Sequence, residues 1–130
     1  MATWDELRSY IRINYKVDQD DGNLIRLLFA IGDDRTQIVI VAKSSTGDGA
    51  SQFATIASPF AEVGDIDIES ALTAIAEYVV GGVVAYGRTY MVRHSVPLET
   101  LDPGEFEGPL RMVLHTADAL EAKLIGSDKF

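Results

Sequence analysis

Cysteine is absent from the 130 residues, which removes thiol nucleophiles, thiolate-held zinc and a disulfide framework together. Histidine is scarce: His94 and His115 stand alone in different segments, with neither H-x-x-x-H nor H-E-x-x-H spacing, so no zinc motif is present. Positive charge is short as well, 11 Lys and Arg against 20 Asp and Glu, for a net charge of −9. The deficit is spread over both halves, leaving no basic stripe to follow a phosphate backbone, and a nucleic-acid partner is not expected. No uncharged stretch reaches membrane-spanning length, and the opening MATWDEL carries acids where a secretory signal carries bases before a long apolar run. The expectation is a cytoplasmic protein without membrane contact, metal or cofactor.

What is present is an apolar fraction of 47% in a length suited to one domain, residues 1–130. A chain of this size removes roughly two-thirds of its extended surface from water on folding, enough to stand without a staple.

Thr3 and Glu6 have capping-box spacing, and Trp4, Leu7, Tyr10, Ile11 and Tyr15 follow at helical intervals, so a first helix is expected over about residues 4 to 14. DQDDGN, residues 18 to 23, reads as a turn. LIRLLFAI (24 to 31) and TQIVIVAK (36 to 43) read as strands of a hairpin turning at Gly32-Asp33-Asp34. A loop, SSTGDGAS, leads into a third strand, QFATIASPF (52 to 60), which Pro59 is expected to end or place at a sheet edge. Ile68, Leu72, Ile75 and Val79 return to helical spacing within a middle helix over 66 to 80, stopped by Gly81-Gly82. VVAY (83 to 86) and TYMVRHSVPL (89 to 98) form a second hairpin. Asp102-Pro103-Gly104-Glu105 starts a last helix whose stripe is Phe106, Leu110, Val113, Leu114, Ala117, Leu120 and Leu124, ended by Gly126. The order α-β-β-β-α-β-β-α describes an α+β fold with a mostly antiparallel five-stranded sheet and helices packed on it.

Alternate residues of a strand face opposite ways. In 24 to 31 the odd set, Ile25, Leu27, Phe29 and Ile31, is wholly apolar and the even set, Leu24, Arg26, Leu28 and Ala30, mostly so; IVIVA at 38 to 42 is apolar throughout. The first and third helices suffice for one face, which leaves the middle helix and solvent for the other. A large apolar patch is unusual on a monomer, so a second chain, either a copy or a client, is expected to cover it. The middle helix offers Ala71, Ala74 and Tyr78 on a face of its own, where small residues admit a second backbone; the alternative is that the alanines pack on their own sheet.

Motifs of catalysis are weak. His94 lies in RHS, yet on a strand it shares a face with Tyr90, Val92 and Val96 while Arg93 and Ser95 point away, so His94 and Ser95 do not pair as base and nucleophile. His115 falls on the polar face of the last helix. Asp18, Asp20, Asp21 and Gly22 imitate a calcium loop, but Gly arrives one position early and Phe29 stands where a bidentate Glu is required. Gly47-Asp48-Gly49 lacks a third glycine and joins strand to strand, with no helix N-terminus for a phosphate.

The element order, carried by LIRLLFAI with TQIVIVAK, by SALTAIAEYVV running into GGVVAYGRTYMVRHSVPLE, and by LETLDPGEFEGPLRMVLHTADALE, resembles the type III secretion chaperone-like fold, including the YbjN-type family. The resemblance implies a small acidic homodimer, without catalysis, that holds an extended segment of a protein or peptide client on apolar sheet surfaces. It makes Ala71, Ala74, Tyr78, Tyr90 and His94 candidates for the two-fold interface, and Arg26, Val39, Val41 and Phe53 candidates for the open, client-binding face. A strand phase off by one residue exchanges the two faces. Two alternatives from other classes remain: a small-molecule-binding or hydrolytic α+β enzyme using His94, and an acidic immunity-type inhibitor.

Overall fold

Residues 2–32 and 35–125 are described in a computed structural model of the chain. The first helix, α1, is Trp4–Asn14. Thr3 Oγ1 accepts the Glu6 amide at 3.2 Å, satisfying one of the donors a helix start leaves open, and Trp4, Leu7 and Ile11 turn inward. Six strands follow in one antiparallel sheet, with α2 interposed: β1 (Val17–Asp20), β2 (Leu24–Gly32), β3 (Arg35–Ser45), β4 (Gln52–Glu62), α2 (Ile68–Ile75), β5 (Gly82–Tyr86) and β6 (Thr89–Pro97). The strands lie in the order β1-β2-β3-β4-β6-β5. A 3-10 turn, Pro103–Phe106, leads into α3, Glu107–Leu124.

The sheet has six strands where the sequence led us to expect five. The sixth, β1, is VDQD, whose last three residues belong to the stretch that reads locally as a turn. Contacts far along the chain hold it extended: the Asp20 carboxylate accepts from Arg8 Nε at 3.0 Å, Arg12 Nη1 at 2.5 Å and the Gly22 amide at 2.8 Å, and Trp4 Nε1 donates to the Gly22 carbonyl at 2.7 Å. Thus α1 clasps β1 against the edge of β2. Burial alone would raise the Asp20 pKa; the Gly22 amide and the two guanidiniums outweigh it and hold the carboxyl below its usual range.

Pro59 lies neither at the end of its strand nor on a sheet edge, because β4 runs on to Glu62 in the sheet interior. The β3–β4 ladder stops at Ile40 opposite Ala57, before the missing proline N–H would matter, and a register shift between Pro59 and Ala61 eases the β6 side. Buried Gln37 fills the gap, donating from Nε2 to the Pro59 carbonyl at 2.7 Å and to Ser58 Oγ at 2.8 Å. The middle helix is shorter than the expected 66 to 80. After Ile75 the Glu77 and Tyr78 amides bond three residues back, and the β-branched pair Val79-Val80 does not extend the helix. Gly81 is required where it stands, since a Cβ there would meet the Arg93 carbonyl oxygen at 2.8 Å. The proposed Gly126 stop and the Asp33-Asp34 turn lie outside the described residues.

One core unites the three helices with a single side of the sheet. Ile25 and Leu27 of β2, Val39 and Val41 of β3, Ala54, Ile56 and Phe60 of β4, and Val92 and Val96 of β6 meet Trp4, Leu7 and Ile11 of α1, Ala71 and Ala74 of α2, and Leu110, Val113, Leu114, Ala117 and Leu120 of α3. The middle helix therefore joins the others instead of covering the opposite face. Arg35 with Asp118, and Tyr15 with Glu107, tie sheet and α1 to α3 at the margins. Burial, then the bond to Glu107, raises the Tyr15 pKa far above the phenol range.

Two outcomes follow from this packing. Leu114→Ala, at a fully buried position, is expected to cost about 2 to 5 kcal/mol in urea unfolding, and a near-zero loss would exclude the packing described. Because the Asp20 pKa is depressed in the folded state, its share of stability is complete above the unfolded value near 4 and disappears as pH falls through the folded value. Asp20→Asn should thus be less stable than the parent at pH 7, with the gap closing below about pH 4; a gap independent of pH would mean the clasp does not depend on charge.

Candidate functional site: the uncovered face of the sheet

Strand register fixes the residues on the side away from the helices. Leu24, Ala42, Thr55 and Ser95 form one row across β2, β3, β4 and β6. Arg26, Ile40, Ala57, Arg93 and Gly82 form the next, reaching β5. Leu28 with Ile38, and Pro59 with Met91 and Val84, continue the apolar surface. No helix of the core cluster contributes to this side. Its hydroxyls are spent on one another, Ser44 Oγ to Thr55 Oγ1 at 2.8 Å and Thr55 Oγ1 to Ser95 Oγ at 3.0 Å, so what faces outward is mainly hydrocarbon.

The face is not flat. Leu24, Ile40, Ala42, Thr55, Ala57, Tyr86 and Met91 enclose a depression of about 230 Å³, with Thr55 and Ala57 buried at its floor and Tyr86, 47% exposed, as a wall. The Tyr86 hydroxyl accepts from Arg93 Nη1 at 3.2 Å. On the far side of the same row, Arg26 Nε lies 3.0 Å from Asp18 Oδ2, an ion pair without hydrogen-bond alignment. Two arginines thus bracket the apolar floor, three strand spacings or about 14 Å apart.

Arg26 and Phe53, two residues expected on the open face, are there, both half-buried. Val39 and Val41 are not. They pair with Leu27 and Ile25 on the helix side and are fully buried, so that assignment is corrected: the open face takes Ile38, Ile40 and Ala42. IVIVA is apolar in both phases, and only the pairing partner decides. Ala71 and Ala74 are also corrected as interface residues, since α2 uses them to sit close on its own core. Tyr78 is exposed, as are its neighbour Val79 (86%) and Leu72 of α2 (51%). Tyr90 and His94 lie half-buried on the helix side, Tyr90 stacked on Phe60 with centroids 6.5 Å apart and His94 Nδ1 accepting the Gly81 amide at 3.1 Å. Ser95 is on the opposite face from His94, bonded to Thr55, so these two residues do not form a base and nucleophile. Among the described residues, no group of three or more His, Asp or Glu could hold a metal ion.

Sequence reasoning missed the depression because its residues come from five strands. The available signal was the even set of β2: once Ile25 and Leu27 belong to the core, Leu24 and Leu28 must face outward.

The two sheet edges differ. β1 is polar, VDQD, and bulged against β2, whereas β5 reads GVVAY with no charge or proline to discourage another strand.

No protein-family model and no curated protein matches the chain. Among solved structures, a chain of the HopA1-SchA chaperone-effector complex matches with a TM-score of 0.59 at 13% identity, covering 88% of this chain and 89% of that one. The likeness is one of fold: helix, antiparallel sheet and C-terminal helices in the α+β arrangement of a type III chaperone.

Adjacent leucines on opposite faces test the assignment. Leu27→Ala should cost about 2 to 5 kcal/mol and Leu28→Ala about 1 kcal/mol or less by chemical unfolding. Equal losses would mean that the outer face is packed as tightly as the inner one.

Proposed function

We propose that the protein is a non-catalytic, cytoplasmic protein-binding module that works as a homodimer and holds a client segment on the outer sheet face. The observation that carries this reading is the apolar face itself, spanning β2 to β5 with a side-chain-sized depression and no covering element among the described residues. The fold it shares with a chain of a chaperone-effector complex supports the same role. A finer placement with the YbjN-type proteins rests on the element order of the sequence.

The dimer contact is assigned to the β5 edge and the exposed turn after α2. A strand related to itself by a two-fold pairs antiparallel, and β5 has open backbone groups and apolar side chains for it, with Tyr78 and Val79 alongside. Tyr90 and His94 stand one strand inward, supporting β5 and the Gly81 turn.

Light scattering at micromolar concentration should give about twice 14.2 kDa. Val79→Arg, at an exposed position that leaves the core intact, should give a folded monomer, because the contact would have to bury an unpaired charge. A dimer unaffected by Val79→Arg would move the interface elsewhere, and a monomeric parent would remove it.

A further inference from the structure

We propose that the outer face selects client segments in which a bulky apolar residue stands next to a carboxylate, the apolar side chain filling the depression and the carboxylate binding Arg93. The proposal rests on the reading of this face as the client-holding surface and adds the chemistry of the segment. A chain with net charge −9 would, by its overall field, attract basic peptides. The local arrangement opposes that. The two charged side chains in the central row of the face are both arginines, and they differ in state: Arg26 has Asp18 beside it, whereas Arg93 is exposed and bonded to the neutral Tyr86 hydroxyl. Among the described residues, no carboxylate lies within ion-pair distance of Arg93. Glu62, opposite Thr89, is four residues away along β6, about 13 Å.

A guanidinium carries five N–H donors in a planar fork that suits a carboxylate, and one Arg93 donor on Tyr86 leaves that capacity largely free. Tyr86 also makes the anchor and carboxylate positions contiguous, since its ring walls the depression and its hydroxyl holds the arginine. A lysine of a client placed there would meet a like charge beside an apolar floor. Overall charge acts at a distance and is screened within about 8 Å at physiological salt, whereas a pair formed against the sheet is screened much less.

The test uses two fluorescein-labelled synthetic 12-residue peptides with identical Leu and Phe positions, one flanked by Glu and the other by Lys, titrated with the full chain in 0.15 M NaCl and read by anisotropy. The Glu peptide should bind at least tenfold more tightly than the Lys peptide. Arg93→Gln should shrink that ratio and Arg93→Glu invert it, while Ile40→Asp, which places a charge in the depression, should abolish binding of both. Should Ile40→Asp fail to fold by circular dichroism, Tyr86→Ala, which removes one wall, should weaken both peptides instead. Loss of binding in the depression variant with a Glu-to-Lys ratio unchanged by Arg93→Glu would overturn the carboxylate preference and leave the client face standing. Failure of both peptides to bind the parent, or binding indifferent to the depression variant, would overturn both.

Discussion

Strands that are apolar on both sides need two layers of cover, and the described residues supply one. All three helices go to the inner layer: α3 needs β4 and β6 to bury Val113, Leu114, Ala117 and Leu120, and α1 buries Trp4, Leu7 and Ile11 in the same core. The small residues of α2 let it enter beside α3 rather than swing to the other side. With these contacts made, no helix among the described residues covers Leu24, Leu28, Ile38 and Ile40. Apolar surface of this kind left in water forgoes about 25 cal/mol for each Å² that a partner could bury, a standing drive toward association.

The margins of the molecule are fastened by polar contacts whose logic differs from that of the open face. Asp20 draws two arginines and an amide into one clasp, Gln37 donates to the Pro59 carbonyl that the stopped β3–β4 ladder leaves over, and Tyr15 donates to Glu107. Each engages a charged or polar side chain on protein groups. Arg93 contrasts with them, a charge poised above hydrocarbon and bonded to a neutral phenol. It is a polar group whose surroundings have room for something else.

The main lines of the fold were legible in the residues. The Thr3 cap and the stripes of the first and last helices lie where their periodicity puts them, and the strand-forming runs became strands. What was hidden depends on partners remote in sequence. VDQD has no strand pattern and is extended because α1 reaches across to Asp20. The middle helix ends at Ile75 because its continuation must turn at Gly81 to meet β6. The candidate surface was legible as a surplus of apolar strand residues and illegible in detail: Val39 and Ile40 are chemically alike, and pairing with Leu27 or Arg26 alone decides which faces the core. Alanines in α2 carry the same ambiguity, since a small side chain permits close approach by any neighbour, and here the neighbour is the chain's own core.

Methyl NMR with a neutral, soluble paramagnetic agent reads this asymmetry directly, residue by residue, in the protein free of clients. Methyl signals of Leu24, Leu28, Ile38 and Ile40 should broaden strongly as the agent is added, while those of Ile25, Leu27, Val39 and Val41 stay sharp. Equal protection of both sets would mean that the outer face is already covered, and the account of a sheet with one side left open would be contradicted.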